Sequence, residues 1–262
     1  MVQDRQLADS QRLQAMLVQV EALRIRINRL KARPESLATK DIHHRSTLRR
    51  LAWQHGTVAL MVSCDSMRGL RLMASGVPRP VFAHLPLLRA AVDGASIARW
   101  LFDPTASTAD RVQRGLRVEL EDLAEQEKAQ RFGTGSSLFI APGEPAAQRL
   151  ERVKKTAQRD KIVAAPRNQW VPTSLAARYA SFPDGGTDSG AWLYAALSAG
   201  AHGRRWALQL ANTKTDNPFD PLTGMTSWVD LKRVAALTAI VLDHLIVAIQ
   251  DAERYAGLGE PT

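Results

Sequence analysis

The chain has one cysteine, Cys64, among 262 residues. It therefore cannot build a disulfide framework or a cysteine-based zinc site of its own, which fits a reducing, cytoplasmic compartment. Aromatic residues make up only 6%, and no segment alternates apolar and polar residues over a useful length, so sheet is not expected. The N-terminal residues lack the apolar core of a secretory signal. No uninterrupted apolar run reaches the length of a membrane span, and the nearest, 234–249, holds Asp243 and His244. Recognisable chemical motifs are also missing. Gly133-Thr-Gly-Ser-Ser lacks the Lys-Ser/Thr of a phosphate-binding loop, and no Gly-x-Ser-x-Gly occurs. His43 and His44 have no further zinc ligands at suitable spacing, and Asp216, Asp220 and Asp230 are not arranged as a calcium loop. No metal, no cofactor and no membrane partner are expected.

What remains is an ordinary globular composition, 45% hydrophobic and 23% charged, rich in Ala, Leu and Arg. That mix favours helix. Leu13, Met16, Val20, Leu23, Ile27 and Leu30 recur every three or four residues, an a/d seam on a helix over 5–32 that Pro34 ends. Further helices are expected over 40–75 with Thr39 as N-cap, 81–102, 109–131, 146–160, a short one at 174–180, 189–210 and 228–256. A long polar loop, 212–226, precedes the last. Met61, Met67 and Met73 read as core filler. The expected fold is all-α: a multi-helix bundle (35–262) preceded by a long basic, coiled-coil-like N-terminal helix (1–34), with an insertion loop before the C-terminal helix.

Net charge is +9, and the first 60 residues hold 11 Lys/Arg against 5 Asp/Glu. A basic segment of this kind attracts RNA, DNA or an acidic protein partner. Arg24, Arg26, Arg29, Lys31, Arg45, Arg49 and Arg50 are its candidate nucleic-acid contacts. Basic residues at the seam's flanks oppose parallel self-pairing, so the seam is expected to pack on the chain's own body or on an acidic partner.

Two helices are apolar nearly all round, which places them inside the bundle. In 81–102 a narrow polar strip remains: Arg89, Asp93, Ser96 and Trp100. In 189–210 the corresponding strip is Tyr194, Ser198, His202 and Trp206, with Gly200 and Gly203 small enough to admit a neighbouring helix. A buried charge must find a partner, so the strips are expected to face each other. Such a cluster serves either as a hydrogen-bonded structural network or as a site. In the second case His202 is the candidate general base, Arg89 the anion-holding group and Asp93 the residue orienting the imidazole, with Tyr194, Ser198, Ser96, Trp100 and Trp206 lining the ligand.

"LLRAAVDGASIARWLFDP" (87–104), "VPTSLAARYAS" (171–181) and "LYAALSAGAHGRRWAL" (193–208) resemble an uncharacterised all-helical family of high-GC actinobacterial proteins. The Arg-x-x-x-acid helix followed by a Ser-x-x-x-His-Gly helix also looks distantly like HEPN-type helical domains, many of them metal-independent ribonucleases of toxin and defence systems. The Arg-to-His spacing usual in those domains is read here in Arg79-Pro-Val-Phe-Ala-His84. The resemblance implies an RNA-directed protein, a ribonuclease if His202 and Arg89 are catalytic. The other expectation is a non-enzymatic scaffold that docks a partner through the N-terminal basic helix.

Overall fold

The computed structural model describes residues 2–43, 46–75, 83–132, 144–180, 188–202, 204 and 231–258. The described residues are helical with no strand. In chain order the helices are α1 (Val2–Asn28), α2 (Leu37–Ile42), α3 (Leu51–Ser75), α4 (His84–Leu101), α5 (Thr108–Phe132), α6 (Ala146–Asp160), α7 (Pro172–Tyr179), α8 (Ser189–Ala201) and α9 (Leu231–Tyr255). The expected loop 212–226 lies outside the described residues.

The main core joins α1, α3, α4, α8 and α9. Leu13, Leu17, Val20, Leu23 and Ile27 of α1, with Leu30 just past its end, are all buried in it, and Met16 packs against it. The seam is thus filled by α3 and α9, and Leu13 to Leu30 share one core with the rest of the bundle. Arg26 fastens this arrangement with two hydrogen bonds to Glu253, 2.8 and 2.6 Å. α3 and α4 form the most extensive pair because Gly94 permits it. A Cβ there would stand 2.4 Å from the Ala59 carbonyl oxygen, so any larger residue forces the helices apart. A second, smaller core lies between α5 and α6, around Leu116, Leu123, Leu150 and Val153.

Three details depart from the sequence reading. The helix expected over 40–75 is broken: Ser36, not Thr39, is the N-cap of α2, its Oγ accepting from the Thr39 amide. A 3-10 turn (Thr47–Arg50), capped by Ser46, leads into α3. Met67 is buried and Met73 half-buried, but Met61 is 49% exposed. α9 is, by length and composition, apolar enough to cross a membrane, although 56% of the apolar stretch is buried inside the fold. Of the two polar residues that interrupt its apolar run, His244 is buried and Asp243 is exposed.

Candidate functional site

α4 and α8 meet near the start of α4. Gly200 lets them do so, because a Cβ there would lie 2.4 Å from a Leu85 methyl. This contact brings the N-terminal end of the α4 strip against Tyr194 and His202 of the α8 strip. The Arg89 guanidinium donates through Nη2 to the Tyr194 hydroxyl at 3.1 Å, and its Nη1 lies 3.2 Å from His202 Nε2. The guanidinium also stands 5.4 Å from the centre of the Tyr194 ring, within cation–π range. Since Arg can only donate, Nε2 of a neutral His202 accepts here. Tyr194 is buried, Arg89 and Asp93 are about a quarter exposed, and His202 is exposed. The cluster is therefore on the rim of the bundle and not sealed within it.

Asp93 is not the residue that orients the imidazole. Its Oδ2 lies 3.6 Å from Arg89 Nε, one helical turn back, and the side chain holding His202 is Arg89. Ser198 is half-buried one turn before His202, whose backbone amide donates to the Ser198 carbonyl at 3.0 Å. Among the described residues its hydroxyl reaches no member of the cluster. Ser96 and Trp100 belong elsewhere. Ser96 Oγ is 3.0 Å from His244 Nε2 in the α4–α9 interface, and Trp100 packs on Trp170 with ring centres 5.7 Å apart. α8 crosses only the first turns of α4, so positions further along the same strip meet other neighbours. Trp206 and Arg45 lie outside the described residues.

The basic residues do not converge on this cluster. Arg33 donates its amide to the Ala256 carbonyl, and Tyr255 stacks on Phe102. The end of α1 with Arg29 and Lys31 thus sits where α4 finishes. Arg49 and Arg50 precede α3, whose Gly56 lies under Phe102. The rise of α4 puts Phe102 roughly 20 Å from Arg89. Arg24 pairs with Glu21 at the surface and Arg26 with Glu253. Arg29, Lys31 and Arg50 remain exposed.

Burial shifts Asp93 and the two histidines packed on or against α4, His84 and His244. His84, the histidine at the Arg79 spacing, is fully buried, neither ring nitrogen has a partner among the described residues, and desolvation pushes it down to about 4. It is a core residue with no access for a substrate. Burial, with Arg99 adding repulsion, pushes His244 down to about 3. Asp93 moves the other way: burial raises it to about 6, against the pull of Arg89.

Asp93 gives a prediction with a defined sign. In the unfolded chain it releases its proton near 3.8, in the folded chain near 6. Between those values the folded state binds the proton more tightly, so the Asp93 contribution falls as pH rises and is flat above about 6. Asp93→Asn removes that slope. At pH 7 the variant should be more stable by on the order of 1–3 kcal/mol, and at pH 3.5 the two should converge. Urea midpoints at both pH values check this. A difference equal at both would place the effect in packing and not in the proton.

Comparison with protein-family models, curated proteins and solved structures finds no match to this chain. Its function must be argued from the arrangement itself. Among the described residues no three His, Cys, Asp or Glu side chains gather as a metal site.

Proposed function

We propose that this is an RNA-directed helical protein of HEPN-like character, with Arg89, Tyr194 and His202 as its phosphodiester-facing centre. The observation that carries the reading is the fork of Arg89, shared between a tyrosine hydroxyl and an exposed imidazole at the bundle's rim. A purely structural network is usually closed off and fully satisfied. Here the imidazole is exposed, and the guanidinium has the planar donor pair that suits a phosphate.

The chemistry follows from those donors. An RNA phosphate takes the two Arg89 donors in place of Tyr194 and His202. Nε2, released, accepts the proton of the adjacent ribose 2′-hydroxyl. The 2′-oxygen attacks phosphorus, the bond from phosphorus to the 5′-oxygen breaks, that oxygen takes a proton from water, and the hydroxide so formed takes the proton held by His202. The products are a 2′,3′-cyclic phosphate end and a 5′-hydroxyl end. Arg89 neutralises charge on the phosphoryl oxygens throughout.

The exposed Arg29, Lys31 and Arg50 lie too far away to steer the scissile phosphate. Their role in this reading is confined to distant backbone contact, and such binding weakens with salt.

His202→Gln tests the proposal. Glutamine keeps the size and one acceptor but cannot exchange a proton near neutral pH. Cleavage of a single-stranded RNA should fall by roughly 100-fold or more, while the thermal midpoint moves little because the side chain is exposed. Arg89→Lys keeps the charge and loses the fork, and should lower cleavage as well. Wild-type protein that neither cleaves nor binds RNA refutes the reading. Cleavage that survives both substitutions does so too.

A further inference from the structure

The open face of α4 continues past the cluster. Arg89, Asp93 and Ile97 stand at i, i+4 and i+8, so they occupy successive turns of one side of the helix. Beyond Asp93 this face becomes the floor of a groove of about 590 Å³. α3 forms one wall, with Val58 and Val62. α5 forms the other, with Glu121, Asp122 and Glu125, and Trp170 closes one end. His55 Nε2 joins Glu119 at 2.8 Å and ties the walls together near that end.

Two properties of this groove are unusual for a settled surface. Its wall is apolar and open: Val58 is 58% exposed and Val62 49%, one turn apart on α3. Contiguous exposed apolar residues beside a groove mark interaction sites. Its charge is also opposite to that of the chain. In a protein of net +9, four carboxylates border this groove: Asp93, Glu121, Asp122 and Glu125. Glu121 is shared with Arg117 and Arg167, and among the described residues Glu125 pairs with the exposed Lys128. Asp122 has no ion partner among the described residues. Among the described residues Asp93 Oδ1 accepts no hydrogen bond.

We infer that the α3–α4–α5 groove docks a basic amphipathic helix of a partner protein. Its apolar side chains, at i, i+3/i+4 and i+7, lie along Val58, Val62 and Ile97 and against Trp170. Its lysines or arginines face the carboxylates of α5. Helix-in-groove recognition uses this division of labour, with apolar anchors for affinity and charge for orientation. RNA is excluded from the groove by the same carboxylates. The inference stands independently of RNA cleavage at His202, although a helix seated here ends about one turn from Arg89.

A fluorescent peptide of leucine and lysine, about five helical turns long with leucines on one face, is the probe. Full-length protein should bind it with micromolar affinity, although its net charge repels a cationic peptide elsewhere. Val62→Arg and Asp122→Lys should each weaken binding by about tenfold or more. Both positions are exposed, and Glu125→Lys serves as the alternative if either variant loses its circular dichroism melt. The same peptide with glutamate for lysine, or with its sequence scrambled, should not bind. Equal binding of the controls overturns the inference, as does affinity unchanged by the substitutions. Self-association of the chain that is lost in Val62→Arg would give the groove to a second copy and overturn it likewise.

Discussion

Deleting residues 1–34 is expected to leave a remainder that is insoluble or molten. α1 is the part of the chain that most resembles a detachable coiled-coil segment, and its seam would serve a partner if it were free. Instead Leu13, Leu17, Val20, Leu23, Ile27 and Leu30 are each at most 8% exposed and lie against α3 and α9. Burying one such side chain is worth about 1.5–3 kcal/mol. Taken together the seam contributes on the order of 10 kcal/mol, as much as the whole net stability of a typical domain, about 5–15 kcal/mol. Compactness of the unfolded chain reduces the figure but not its rank. The truncated protein should bind a hydrophobic dye, lose its near-ultraviolet circular dichroism and melt without cooperativity. A fragment 35–262 that melts as sharply as the intact chain would show that α1 is separable, and would return the seam to a partner.

That seam was legible in the sequence because its period does not depend on what it faces. The break between α2 and α3 was not, because apolar residues continue across it: Ala38, Leu48 and Ala52 are all buried. The break is made by polar contacts remote in sequence. Ser46 bonds Asp160 at 2.7 Å, and Asp41 turns inward. The meeting of Arg89 with Tyr194 and His202 was legible for a different reason. Two helices with apolar residues on nearly every side leave their few polar groups no destination except each other. The same logic misplaced Ser96 and Trp100, since it treated one side of α4 as facing one neighbour. A helix of 18 residues spans about 27 Å and passes several neighbours along that length. The α3–α4–α5 groove was illegible because its walls come from three helices whose spacing no local pattern encodes. The fully buried Arg111 was overlooked in a highly charged helix. Its signal lies in the row Arg111, Gly115 and Val118, a buried stripe of α5 in which an arginine is out of place.

Asp41→Asn is expected to be among the most damaging conservative substitutions in the chain. Arg111 and Asp41 are both 1% exposed at their side chains. Arg111 Nε and Nη2 donate to the two Asp41 oxygens at 2.7 and 2.8 Å, and the Tyr255 hydroxyl donates to Oδ2 at 2.7 Å. Arg111 Nη1 is taken by the Ala106 carbonyl, and the guanidinium lies 5.2 Å from the centre of the Tyr255 ring. This closed unit links α2, α5 and the end of α9, three elements with little apolar contact between them. Asparagine preserves the shape of Asp41 but offers one acceptor oxygen and no charge, leaving a buried guanidinium without its counterion. Breaking a buried pair in this way costs about 3–5 kcal/mol, which lowers the thermal midpoint by roughly 6–20 °C in a chain of this size. Tyr255→Phe, which removes one hydrogen bond to the carboxylate and no charge, should cost less, about 1.5–3 kcal/mol. The double variant Asp41→Leu with Arg111→Met should recover much of the loss, because no ion is then left unpaired. A thermal midpoint for Asp41→Asn within about 2 °C of the wild type would show that water reaches Arg111. A double variant no better than Asp41→Asn would show that hydrogen bonding, and not the stranded charge, holds the three helices together.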